Sequence, residues 1–438
     1  MGIGQDTGAV TGEHNNEGKT MISEFWRYAV LSMTLFGVAC SSGSNSSNTT
    51  SPPPPPPPPA ELTTGPEVCT GDMAGDFACS GISLRKRVAT DAMGGGLGND
   101  IWGWADTQTG DEYALMGLTN GTAFVDVTDP DNPIYLGHMA TNTVDSAWRD
   151  IKVYMDHAYV VADGAGAHGM QVFDLTRLRG VGSAQTFTAD GIYSDFGNAH
   201  NVAINEATGF AYAVGTDTCN EGLHMINIST PNNPMFAGCY DEADIHDTQC
   251  VVYQGPDPDH SGSEICFNSN RNNLSNQHNV GIADVSIKAA PFTISSTIYP
   301  EAGFAHQGWL TEDHRYFLLG DEADETNFSA PTRTLIFDVT DLDAPVFVST
   351  YEAATASIDH NMYIVGNRVF QANYTSGVRV LEFGDLSNSE IMEIAFFDTY
   401  PDSASASFDG AWSVYPFLPS GNIIASDRTN GLFILTML

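Results

Sequence analysis

Positive charge is scarce in this 438-residue chain: 16 Lys and Arg stand against 54 Asp and Glu, a formal charge of -38. Such an excess of acid repels nucleic acid and anionic lipid headgroups, so neither is an expected partner; it favours solubility and the binding of cations. Much of that acid is expected on a solvated surface. There is no CxxC, which argues against zinc ribbons and thioredoxin-type redox sites. There is no G-x-S-x-G, and no Ser or Cys in a triad context. The glycine-rich stretch Gly94–Asp100 lacks the Lys and the following helix of a phosphate loop. Helical periodicity is missing throughout, and no apolar run is long enough to span a bilayer.

The longest apolar run near the start, Tyr28–Ala39, follows the sparse cations Lys19 and Arg27 and has the length of a signal-peptide core. Met21 is a candidate start. The run ends Gly37-Val38-Ala39-Cys40, similar to a bacterial lipobox in which Cys40 would be lipidated; Gly37 stands where that pattern prefers Leu. Ser41 suits outer-membrane sorting. Residues 1–40 are therefore expected to be a signal and lipoprotein peptide. Residues 41–66, with SSGSNSSNTTS and eight prolines at Pro52–Pro59, read as a tether. Polyproline at about 3.1 Å per residue would reach roughly 25 Å. The expected location is the bacterial outer membrane or cell surface, touching the membrane only through lipid.

The other six cysteines, Cys69, Cys79, Cys219, Cys239, Cys250 and Cys266, suggest disulfides in an exported chain. Cys250 and Cys266 fall opposite each other if TQCVVYQ and SEICFNS form a hairpin. Cys69–Cys79 would close a short loop, and Cys219–Cys239 follows by elimination.

Residues 67–438 are written in a repeating phrase of short strands. Its clearest copies end in the turns Thr128–Pro133, Ser229–Pro234 and Thr340–Pro345, which lie 101 and 111 residues apart. Two units of about 50 residues fit each gap, the period of a propeller. The phrase recurs seven times, so the expected fold is all-β, a seven-bladed β-propeller of four-stranded blades named A to D from the centre outward. The last unit stops at its third strand, and Ile82–Thr90 would supply the fourth, closing the ring and removing two open edges. That pairing would also cluster Arg85, Lys86 and Arg87 on an outer edge.

Aligning the first polar residue of each A strand gives Asp100, Arg149, His200, His246, His306, His360 and Asp409. Four of the chain's twelve His fall on this one ring. The B strands end at Thr119, Asp163, Asp217, Asn268, Asp321, Asn373 and Asp427. Adjacent strands are antiparallel, so both rings share a face. His200 is then expected beside Asp217, and His306 beside Asp321. Asp247 and Asp359 flank His246 and His360, and Glu322, Asp324 and Glu325 add acid beyond Asp321.

A carboxylate beside an imidazole fixes its tautomer and raises its basicity, as around metal ions. One reading is a divalent-metal site at the channel mouth with His200, His246, His306 and His360 as ligands, and Asp217, Asp247, Asp321 and Asp359 behind them. Imidazole with carboxylate suits Zn, Fe, Cu, Ni or Mn better than Ca. The other reading is that each His bonds a neighbouring blade and pins its own. The acidic runs Asp241–Asp247 and Asp321–Thr326 have enough oxygen for Ca but do not match an EF-hand loop, and solvated acid is expected there. Trp102, Trp104, Trp148, Trp309 and Trp412, in or next to A strands, are expected to pack between blades first, and to offer a stacking platform for sugars second.

The phrases NDIWGWAD, EYALMGLTNGTAFVDVTDPDNPIYLG, WRDIKVYMDHAYVVAD and HNVAIN resemble the bacterial choice-of-anchor B family, whose third strands give the LVIVD-repeat name. The resemblance covers roughly Gly81 to Leu438. It implies an exported propeller anchored by lipid, sorting signal or C-terminal segment; with Leu438 ending a strand, it implies Cys40 as the anchor. It carries no catalytic role. The expected function is a surface-tethered binding platform for a protein, glycan, small molecule or cation on the His-bearing face. The alternative is a metal-dependent lyase, hydrolase or oxidase with the ring His as ligands.

Overall fold

The computed structural model describes residues 61–272 and 278–438. Cys40, the signal stretch and the Ser/Asn- and Pro-rich segment lie outside the described residues. Glu61–Leu438 is one compact unit.

Seven sheets stand around a central channel, each antiparallel in the order A-B-C-D. The innermost A strands are Gly98–Ala105, Trp148–Tyr154, Asn201–Asn205, Asp244–Val252, Ala305–Leu310, Asn361–Val365 and Ala411–Tyr415. Most pair with a B strand that is largely apolar, as a sheet buried on both faces requires; that of blade 4, Glu264–Asn272, is the polar exception. Aromatic side chains weld neighbouring blades: Phe124 stacks on Phe173 at 4.7 Å between blades 1 and 2, and Phe267 on Phe317 at 5.7 Å between blades 4 and 5. Burying one such ring contributes about 1.5–3 kcal/mol. Among the described residues no helix is long and apolar enough to cross a membrane.

The ring closes as the missing strand required. Ile82–Val88 pairs antiparallel with Gly431–Met437, from Ile82 opposite Met437 to Val88 opposite Leu432. The strand stops two residues before Thr90, where a 3-10 turn (Thr90–Met93) begins. The expected cationic edge is not an open patch. Arg85 pairs with Asp131 at 2.7 Å, and Arg87 is buried, donating to the carbonyls of Leu62, Thr63 and Asn430. Residues 61–66, placed in the tether by composition, are held against the propeller: the Thr63 amide and hydroxyl donate to Asp76 at 2.7 and 2.6 Å.

Three blades carry strands that the repeating phrase does not show. Gly191–Tyr193 completes blade 2. Gln185–Phe187 adds a fifth, parallel strand to blade 1, and Phe77–Ser80 with Met73–Ala74 extends blade 6. All three disulfides form as expected, Cys69–Cys79, Cys219–Cys239 and Cys250–Cys266, the last between directly opposed residues of blade 4.

Candidate metal centre

Each His of the ring sits at the entry to its A strand, where the chain turns inward from the rim. The His200 and His360 amides still donate to the B strand, to Val214 and Ala372, at 2.9 and 3.1 Å. The strand geometry thus fixes the backbone. The four rings form one arc, with centroids 4.5 Å apart for His200–His246, 4.5 Å for His246–His306 and 4.3 Å for His306–His360. Trp412 continues it, 4.7 Å from His360.

The remaining register positions leave the arc. Asp409 is exposed, because the A strand of blade 7 begins only at Ala411. Arg149 turns back onto blade 1, donating to the carbonyl of Leu118 at 3.0 Å, and lies against His168. Asp100 points along the channel, where its carboxylate accepts the Ile151 amide at 3.1 Å and approaches Lys152.

The acidic partners also differ from expectation. His200 meets Asp163 of the preceding blade at 3.0 Å, while Asp217 is exposed and accepts the Gly197 amide. Asp321 is committed to structure: it accepts Tyr299 Oη and the amides of Gly303 and Phe304, clamping the loop into blade 5. Asp247 lies deeper in the channel, its carboxyl pushed up to about 7 by burial and then by Asp150. Asp359 is buried, with neither oxygen hydrogen-bonded among the described residues.

The residue that joins the arc is Glu322, immediately past the strand that ends at Asp321. Its Oε2 is 3.7 Å from His306 Nε2 and its Oε1 is 3.6 Å from His360 Nε2. Tyr374 Oη donates to Oε1 at 2.8 Å. All three residues are 8% exposed or less, and their ligand atoms lie within 4.8 Å of one another.

The far nitrogens are spoken for. His306 Nδ1 faces the carbonyl of His360 at 3.1 Å, and His360 Nδ1 that of Trp412 at 2.5 Å. A carbonyl only accepts, so Nδ1 carries the proton and Nε2 turns its lone pair toward Glu322. Burial holds His306 down to about 3 and His246 and His360 well below the usual imidazole range, so the rings are neutral. Burial pushes Glu322 up to about 8. Neither nitrogen of His246 has a hydrogen-bond partner among the described residues, although the ring is buried. Two lone pairs and a carboxylate converging in a buried mouth, beside an unbonded imidazole, are a donor set for a cation.

The run Asp321–Thr326 is not solvated acid. Asp324 and Glu325, in the first turn of the short helix Asp324–Phe328, are buried and face Asp359. Burial pushes Asp324 up to about 6 and Glu325 up to about 11.

Deeper in the channel is a cavity of about 430 Å³, lined among others by Trp102, Lys152, Asp247, Gln307, Trp309 and Tyr363. Lys152 pairs with Asp150 at 2.6 Å and sits 4.5 Å from the Trp102 ring. Trp412 packs between blades as expected, Trp104 stacks on Tyr113 within blade 1, and Trp102 and Trp309 both lean on Tyr363 at the cavity wall.

No family model matches the chain, and no curated protein matches it in sequence. Solved structures resemble it in fold. A protein from Lactobacillus plantarum superposes with a TM-score of 0.50 at 12% identity, over 74% of this chain and 87% of that one. The hydrazine synthase of Kuenenia stuttgartiensis gives 0.49 at 11%, over 74% and 91%. The periplasmic gluconolactonase of Pseudomonas aeruginosa gives 0.48 at 12%, over 69% and 85%. At such identities the likeness is one of architecture, and the chain stands as a seven-bladed β-propeller on its own sheet topology.

Proposed function

We propose that this chain is an exported, lipid-anchored propeller of the choice-of-anchor B kind, acting as a binding module whose His-bearing face holds a divalent transition-metal ion between His306, Glu322 and His360. The observation that supports the ion is the convergence of two neutral imidazole Nε2 atoms on one buried carboxylate, each 3.6–3.7 Å from it. Tetrahedral zinc places its ligand atoms about 3.4 Å apart, so each His–Glu separation lies within a few tenths of an ångström of a coordinating one. A nitrogen-rich set suits Zn, Fe, Cu, Ni or Mn. The anchor rests on Cys40 and the display on the Ser/Asn- and Pro-rich tether.

Metal analysis of protein purified without a His tag tests the ion. About one transition metal per chain, lost in H306A/H360A, is expected; metal-free protein that takes up none on titration with Zn²⁺ would sink the reading. Fatty-acid labelling of wild type and C40A in a bacterial host tests the anchor, with label expected on the wild type alone.

A second reading, metal-dependent catalysis of the lyase, hydrolase or oxidase kind, is favoured by one feature. Three protein ligands leave at least one coordination position for an outside molecule, as catalytic sites do and structural ones do not. Activity lost on chelation and restored by one metal would support it.

A further inference from the structure

The three carboxylates behind the His arc belong to two loops of different blades. Asp324 and Glu325 lie in the B–C loop of blade 5, in the first turn of Asp324–Phe328. Asp359 lies in the loop that enters the A strand Asn361–Val365 of blade 6. One oxygen from each residue falls within 4.8 Å of the others, and none of the three is more than 5% exposed.

These acids are not compensated by their surroundings. Both oxygens of Asp359, both of Glu325, and Asp324 Oδ1 receive no hydrogen bond from the described residues. Among the described residues Arg333 is the one guanidinium that touches the group. Its Nε bonds Asp324 Oδ2 at 2.5 Å, and its Nη1 is drawn off to Glu301 at 3.1 Å. With one arginine against three buried carboxyls, the interior must either keep the acids protonated or admit a cation to balance them. The backbone also makes room for it. A Cβ on Gly320 would lie 2.0 Å from Asp359 Oδ2, so the carboxylate occupies space that any other residue there would fill.

We propose that Asp324, Glu325 and Asp359 bind a hard divalent cation of the calcium class, which staples blade 5 to blade 6. Calcium takes carboxylate oxygens at about 2.3–2.6 Å, so oxygens on opposite sides of one ion lie about 4.6–5.2 Å apart. A set whose members all lie within 4.8 Å fits that span. With oxygen as its only donor, the group disfavours the nitrogen-seeking metals assigned to the His arc. The three acids are different residues from His306, Glu322 and His360, although Asp359 adjoins His360 in the chain.

Chelator-stripped wild-type protein titrated with Ca²⁺ by calorimetry, with melting followed in parallel, tests this. One Ca²⁺ per chain and a raised Tm are expected. E325Q/D359N should bind Ca²⁺ about 10-fold more weakly or worse, and H306A should bind it as wild type does. Should E325Q/D359N fail to fold, Ca²⁺ competition against Tb³⁺ luminescence on the wild type reads the site without a variant. Wild type that binds no Ca²⁺ overturns the proposal. So does Ca²⁺ binding that survives in folded E325Q/D359N, or that is lost in H306A. A rise in Tm on neutralising both acids, with Ca²⁺ without effect, would show that the pocket prefers uncharged groups. Zinc uptake in the same preparations reports on the His arc separately, so either site can fail alone.

Discussion

His306 Nδ1 faces the backbone carbonyl of His360 across the junction of blades 5 and 6, 3.1 Å away. One contact serves two purposes. It ties the entrance of one blade to the next, and by engaging Nδ1 it leaves Nε2 as the lone-pair nitrogen facing Glu322. Pinning and ligation are therefore not rival roles for these residues, because an imidazole has two nitrogens and each role uses one.

Tyr374 completes that arrangement from behind, donating to Glu322 Oε1 at 2.8 Å while its ring packs 4.8 Å from His360. Y374F keeps the packing and removes only the hydrogen bond that aims the carboxylate. Affinity for Zn²⁺, measured by competition with a chromophoric chelator, should fall about 10-fold. Unchanged affinity would mean that this hydrogen bond does not position Glu322 for a metal.

Lys152 is the countercharge of the channel interior, 2.6 Å from Asp150 and 3.5 Å from Asp100. K152M strands two buried carboxylates and should cost about 3–5 kcal/mol in urea unfolding. K152M/D150N removes one of the stranded charges as well and should be milder than K152M. A double variant as damaged as the single one would show that the lysine stem, not its charge, is what matters.

The strand pattern and turn residues made the blades legible, and a missing last strand pointed to Ile82–Val88. The His arc followed from register alone. Glu322 did not, because it is the first residue past its strand, where alternation no longer says which way a side chain points. Lys152 was legible in principle: it lies two residues from Asp150 on one strand, hence on the same face. Asp359 and Glu325 are 34 positions apart in the chain, and no local motif joins loops from different blades. Asp409 failed because the loop before blade 7 holds its A strand back until Ala411.

Closure rests on few side chains. Leu84 is buried in the closing strand opposite Leu435. L84A should lower stability by about 2–4 kcal/mol, read from the urea midpoint at constant m-value. Deleting residues 61–88 should do more, leaving the edge of Gly431–Met437 open to pair with other chains. Light scattering of that truncation should show aggregates where the full chain shows none.

Two histidines outside the arc set an acid limit on the fold. His168 lies against Gly169 O and Arg149, and His224 between Tyr193 Oη and Thr218 Oγ1 at 2.8 Å each. Burial pulls both down to about 4 from an ordinary 6.5. Between those values the unfolded chain binds protons that the folded chain refuses. Stability is therefore full above about pH 6.5, falls as pH drops toward 4, and levels off below that as far as these groups are concerned. At about 1.4 kcal/mol per pKa unit, each site accounts for at most about 3.5 kcal/mol of the fall. H168Q/H224Q removes both groups. It should be less stable than wild type at pH 8 yet lose less between pH 8 and pH 5. Buried carboxyls held high, such as Asp247, act in the opposite sense but are common to both proteins and cancel in the comparison. Parallel stability–pH curves for the two proteins would mean that neither imidazole is kept neutral by the fold.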